Sequence, residues 1–263
     1  MTSTKKPKKL IVGNWKMNLN THEASLYMHA LSGKVEVHRD VEVVLAPTLL
    51  ALQSLSLQVD RRKFKLAVQN LYFRDHGAFT GEVSATQLRG IVEFSLVGHS
   101  ERRHVFGETD KDVRSKVEAS IRNHIQPILC IGETSAERAD GETHDVLHDQ
   151  LVGGLANVTS DALEEVIIAY EPVWAIGTGN NAKPDDVKKA VAAIRSQIKH
   201  LYGRQASEVT RVLYGGSVTA DSAADYLAVP GVDGLLIGGA SLDAEAFSAI
   251  VEKAHNAVSV AEK

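Results

Sequence analysis

Apolar, β-branched runs recur along the chain at 10–12, 41–46, 65–68, 94–97, 127–131, 166–170, 211–214 and 232–237, and most are continuous rather than alternating. A strand with one wet face alternates, whereas one buried on both faces does not. The runs therefore predict a parallel sheet covered on each side. The segment from Pro184 shows the complementary pattern. Pro184, Asp185 and Asp186 suit a first helical turn, where a missing N–H costs nothing and acids meet the positive end of the helix dipole. Val187, Val191, Ile194 and Ile198 then fall on one face. The same spacing predicts helices at 21–32, 103–123, 135–156 and 243–258, with shorter ones at 84–90 and 220–228. Strands each followed by a helix or helical turn leave two architectures, a doubly wound sheet and a closed (β/α)8 barrel. The spacing is even and no linker interrupts it, which favours the barrel. It is read as one domain over 10–263, preceded at 1–9 by a disordered basic tail that carries Lys5, Lys6, Lys8 and Lys9.

Composition narrows the reading without redirecting it. The chain has 263 residues, 44% of them hydrophobic, enough for the core of one barrel. A formal net charge of -4 gives no reason to expect nucleic acid or an anionic membrane as partner. No apolar run is long enough to span a bilayer, and the polar, lysine-rich start lacks the apolar core of a secretory signal. The single cysteine, Cys130, excludes an internal disulfide and fits a reducing compartment, so a cytoplasmic protein is expected.

In barrels of this kind the chemistry sits where strands end and βα loops begin. Those ends carry Asn14 and Lys16, then His99, Ser100 and Glu101, then Glu171, then Gly215, Gly216 and Ser217, and last Gly238 and Gly239. Glycine-rich turns entering helices expose backbone N–H groups and make a ready anion cradle. Glu171 closes an apolar strand, and the residues after it read as a water-excluding lid: Pro172, Val173, Trp174, Ala175, Ile176, Gly177, Thr178 and Gly179. A fixed carboxylate under such a lid suits proton transfer. Taken singly, each residue has an ordinary explanation: a strand cap, a satisfied histidine, a surface lysine, a tight turn. Their convergence on one mouth specifies a small phosphorylated substrate. Two other patterns stay bland. His144 and His148 share a helix face but lack a third ligand, so no metal is expected there. Residues 177–182 fit G-x-G-x-x-A without directly following a strand, which excludes a dinucleotide turn.

The strings G-N-W-K-M-N (13–18), G-H-S-E-R-R (98–103), C-I-G-E (130–133), A-Y-E-P-V-W-A-I-G-T-G (169–179) and Y-G-G-S-V (214–218), with the Gly238-Gly239 turn, occur in order over nearly the whole chain. Together they resemble the triosephosphate isomerase family. The resemblance implies a (β/α)8 TIM barrel that interconverts dihydroxyacetone phosphate and D-glyceraldehyde 3-phosphate without metal or organic cofactor. It implies Glu171 as the base and His99 as a neutral electrophile, with Ser100 and Glu101 opening the helix behind it. Lys16 would offset developing charge beside Asn14. Backbone amides of Gly177, Ser217 and Gly239, with Gly238 alongside, would hold the phosphate. Cys130 resembles the family's cysteine beside the site, with packing as its role, and Arg102 and Glu108 match supporting positions. The loop around Phe73 to Glu82, with Thr80 and Gly81 at its tip, would dock into a second subunit near that chain's Asn14 and Lys16, giving a homodimer. One departure is Asn180, where many members carry a lysine at the lid's far hinge. The nearest enzymatic rival is another phosphate-binding barrel, such as an aldolase or an indole-glycerol-phosphate type lyase, and a Schiff-base aldolase would want a buried lysine at a central strand end. A second is a binding scaffold without turnover, but Glu171, His99 and Lys16 are all present.

Overall fold

The structure is a computed structural model that describes residues 7–177 and 181–261. Eight strands run in chain order around a closed barrel: β1 (Lys9–Asn14), β2 (Val41–Ala46), β3 (Phe64–Val68), β4 (Phe94–Val97), β5 (Gln126–Ile131), β6 (Ile167–Tyr170), β7 (Val212–Tyr214) and β8 (Gly234–Ile237). Every pairing is parallel, and β1 closes the ring on β8 with Leu10 opposite Gly234 and Gly13 opposite Ile237.

The continuous apolar runs now have their cause. Along β1, Leu10 and Val12 join the smaller core cluster with Val44, Leu96, Ile167 and Leu213, while Ile11 belongs to the larger one. Successive side chains thus alternate between the filled barrel interior and the layer beneath the helices, and both are dry. The longest helix, Pro184–Tyr202, has Val187, Val191, Ile194 and Ile198 buried as its spacing requires.

The structure corrects several boundaries. Lys9, assigned to the tail, is the first residue of β1, its amide bonded to Asp40 O and its Nζ to Val232 O. The helix expected at 103–123 is two, Ser100–His104 and Asp110–Arg122, parted around Gly107 (φ 70°) and restarted by a capping box on Thr109. That expected at 135–156 is likewise two, Ser135–Ala139 and Thr143–Leu155, broken at Gly141 (φ 80°). Helices Leu49–Ser56, Ser160–Leu163 and Arg204–Val209 were not foreseen. Residues 1–6 of the tail lie outside the described residues. No helix among those described is long and apolar enough to cross a membrane.

Candidate active site

Parallel strands deliver all their C-terminal ends to one mouth. A cavity of about 340 Å³ opens there, bounded by Asn14, Lys16, His99, Glu171 and the glycine turns beyond β7 and β8. The sequence-derived set therefore assembles in one place.

Glu171 is the first residue past β6, 2% exposed, with its amide bonded to Ile131 O of β5 at 2.8 Å. A Cβ at Gly132 would stand 1.7 Å from the Glu171 carbonyl oxygen, so only glycine lets the two strand ends meet. A Cβ at Gly215 would stand 3.0 Å from Glu171 Cγ. One carboxylate oxygen accepts from Ser100 N at 2.9 Å, and the other lies 3.0 Å from His99 Nε2. His99 caps the helix Ser100–His104, its Nδ1 accepting from Glu101 N at 3.2 Å. A nitrogen that accepts carries no proton, so the neutral ring is the Nε2–H tautomer and that N–H points at Glu171. Burial opposes charge on both groups, but their attraction outweighs it. Glu171 falls below the ordinary 4.5, helped by its hydrogen bonds from His99 and Ser100 N–H and by Lys16. His99 rises above 6.5 despite burial, because Glu171 and Glu101 outweigh the opposing effect of Lys16.

Lys16 Nζ sits 2.5 Å from Glu101 Oε1, a partnership the sequence reading did not anticipate. Its backbone is left-handed (φ 52°), with its N–H bonded to Asn14 Oδ1 and its carbonyl accepting from Gln69 Nε2 at 2.8 Å. Ion-paired and with its side chain 31% exposed, it is not the desolvated amine that a Schiff-base aldolase needs. Gly239 opens a 3-10 turn, Gly239–Leu242, and a Cβ on it would meet nothing within 4 Å.

The segment expected to form a lid begins as a 3-10 turn, Val173–Ala175. Trp174 Nε1 donates to Glu133 Oε1 at 2.8 Å, and Tyr170 Oη donates to the same oxygen at 3.1 Å. Arg138 stacks over the Trp174 ring at 4.1 Å from its centroid. Glu133 is fully buried, and burial pushes its carboxyl above the usual 4.5. Beyond β7 Ser217 Oγ donates to Ala175 O at 3.1 Å, while Ile176 and Gly177 line the cavity. Thr178 and Gly179, expected in the lid, and Asn180, expected at its hinge, lie outside the described residues. Glu133, Tyr170, Arg138 and Gln69 were given no role from sequence, although Glu133 closes the C-I-G-E string.

Cys130 points into the barrel interior, fully buried, its thiol pushed well above 9.0 by that burial. Glu108 accepts from Arg102 Nε at 3.0 Å and pairs with Lys116, which also donates to Asn70 Oδ1 at 2.7 Å. In the loop that starts there, Tyr72 packs on Phe73 and Phe79, and Arg122 bonds Asp75 at 3.0 Å. Thr80 and Gly81 at its tip are exposed. His144 is exposed beside Asp145.

The family model described as triosephosphate isomerase matches residues 9–254. The chain is 42% identical to the triosephosphate isomerase of Alkaliphilus metalliredigens over 93% of its length and 98% of that protein. It is 43% identical to that of Alkaliphilus oremlandii over the same shares. With the triosephosphate isomerase of Chloroherpeton thalassium the identity is 42% over 94% of this chain and 99% of that one.

Proposed function

The chain belongs to the triosephosphate isomerase family and interconverts dihydroxyacetone phosphate and D-glyceraldehyde 3-phosphate, a glycolytic step, and we propose that Glu171 is its base and His99 its electrophile. The contact between His99 Nε2 and Glu171 at the cavity wall carries this reading. Glu171 takes a proton from the carbon next to the carbonyl and returns it to the neighbouring carbon. The His99 Nε2–H hydrogen-bonds the substrate oxygen, where negative charge develops in the enediolate. Substrate parts the two side chains, so the Glu171 carboxylate's upward pull on the imidazole lapses, while burial and Lys16 hold it down against the remaining pull of Glu101. That favours a neutral ring during turnover. Lys16, beside Asn14, offsets the charge of phosphate and enediolate. Amides of Gly177, Ser217 and Gly239, with Gly238 alongside, hold the phosphate. The lid from Pro172 onward closes over it and protects the enediolate from water.

Two further parts belong to the same proposal. The chain works as a homodimer through the loop around Phe73 to Glu82, since Met17 beside the catalytic lysine is 95% exposed and Phe79 in the loop 39% exposed. Sedimentation should give a dimer, weakened by Thr80→Glu. It works in the cytoplasm, where a lone buried thiol needs no partner.

The decisive assay couples glyceraldehyde 3-phosphate turnover to reduction of the dihydroxyacetone phosphate formed. Glu171→Asp draws the carboxylate back by one methylene and should cost ~10²-fold or more in kcat. A folded Glu171→Asp enzyme with full turnover would remove Glu171 as base.

A further inference from the structure

At the opposite end of the barrel from the active site, two segments bring nitrogen and oxygen donors together. His38 and Asp40 lie on the stretch that enters β2, two residues apart, and His255 lies on the closing helix Ala244–Ala261. One ligand atom from each falls within 4.8 Å of the other two, and no other described group of three His, Cys, Asp or Glu residues is as compact. The His38 and His255 rings lie 4.4 Å apart at 32°, and His255 Nδ1 is 2.9 Å and 3.0 Å from the two Asp40 oxygens. Glu252, one helical turn before His255, places a carboxylate oxygen 3.9 Å from His38 Nε2.

We propose that His38, Asp40 and His255, with Glu252 as fourth ligand, bind one divalent transition-metal ion of the Zn²⁺ type. Two imidazoles and two carboxylates make a borderline-soft donor set that suits Zn²⁺ better than Mg²⁺ or Ca²⁺, which take oxygen almost alone. The charges also match, because neutral imidazoles and two carboxylates balance a dication. Tetrahedral bonds of about 2.0–2.2 Å place neighbouring ligand atoms about 3.3–3.6 Å apart. The His255–Asp40 and His38–Glu252 separations lie on either side of that value, and the three-residue set lies within 4.8 Å, so rotamer adjustment of the side chains would bring the donors onto one ion. Asp40 is anchored, since its carbonyl accepts from Lys9 N at 2.9 Å. Partial exposure of 10% for the His38 side chain and 36% for His255 leaves an entry path. The bound ion ties the last helix to the start of β1 and β2, far from the reacting atoms, so it acts on stability and not on turnover.

Titration calorimetry of the full chain with ZnCl₂ should give one site per chain. A tenfold excess of free metal over Kd should raise the melting temperature by about 3–5 °C, reversibly with EDTA. His38→Gln and His255→Gln should each weaken binding by at least about tenfold and remove the melting shift, with isomerase turnover unchanged as proof of folding. Co²⁺ should give the intense visible bands of a tetrahedral ion, lost in the same variants. Absence of a stoichiometric site would overturn the proposal. Binding that survives in the double variant, or that Glu171→Gln removes, would equally overturn it by placing the ion elsewhere.

Discussion

Two buried carboxylates stand at the ends of neighbouring strands, Glu133 after β5 and Glu171 after β6. The polypeptide treats them oppositely. Glu171 meets an imidazole, a backbone amide and a lysine's field, which hold it ionised at the cavity wall. Glu133 meets a phenol, an indole and a more distant guanidinium, and burial still keeps its carboxyl harder to ionise than usual. Glu171 lines the cavity, while Glu133 is fastened to Tyr170 and Trp174 at the root of the segment that follows β6. Burial alone does not make an acid catalytic; the polar groups left to it in the cavity decide.

That contrast breaks most sharply at Glu171, the proposed base. Glu171→Gln should lower kcat by ~10³-fold, whereas Glu133→Gln should keep turnover within about tenfold of wild type, measured in the same coupled assay. Next in size is Lys16→Met, expected to lose ~10²-fold in kcat/KM. Its ion pair with Glu101 is partly exposed, at 31% and 44% of the side chains, so denaturant melts should show a stability change of only about 0–1 kcal/mol. Gly132→Ala attacks both acids at once, because its methyl would overlap the Glu171 carbonyl. Urea titration should show a loss of about 3 kcal/mol or more, and turnover should fall with the displaced base.

The smallest effect has opposite signs at the two acids. Glu171, lowered below 4.5, contributes stability that is present above 4.5 and lost as pH falls through its folded value. Glu133, raised above 4.5, acts the other way: stability declines as pH climbs from 4.5 through its folded value. His99, raised above 6.5, adds a contribution that is full below 6.5 and fades as pH rises through its folded value. Denaturation midpoints across pH should therefore lose the decline above 4.5 in Glu133→Gln. They should lose the acid-side drop, and the His99 contribution with it, in Glu171→Gln. Matching profiles for the two variants would end the contrast.

The strands were legible because burial on both faces leaves no polar positions to confuse the run, and their predicted ends fall close to the observed ones. Helix Leu49–Ser56 was not, and the reason is visible. Leu49 and Leu50 are 47% and 86% exposed, so its apolar residues mark no single face, and Thr48 makes no side-chain cap bond. The breaks at Gly107 and Gly141 were readable as glycines but were overrun by helical spacing on either side. In the site, Glu171, His99, Lys16 and the glycine turns could be found because strand ends are local in sequence. The contacts of Glu133 with Trp174, of Gln69 with the Lys16 carbonyl and of Lys16 with Glu101 join segments far apart in the chain. No local pattern encodes such distances.

The left-handed backbone of Lys16 carries one more consequence. A side chain in that conformation costs roughly 1–2 kcal/mol that glycine does not pay. This chain carries an amine where the main chain would rather have no Cβ. Lys16→Gly should thus disable the enzyme as thoroughly as Lys16→Ala yet melt at a higher temperature than that alanine variant. The difference between their melting points would measure what this barrel concedes in durability to keep its charge in place.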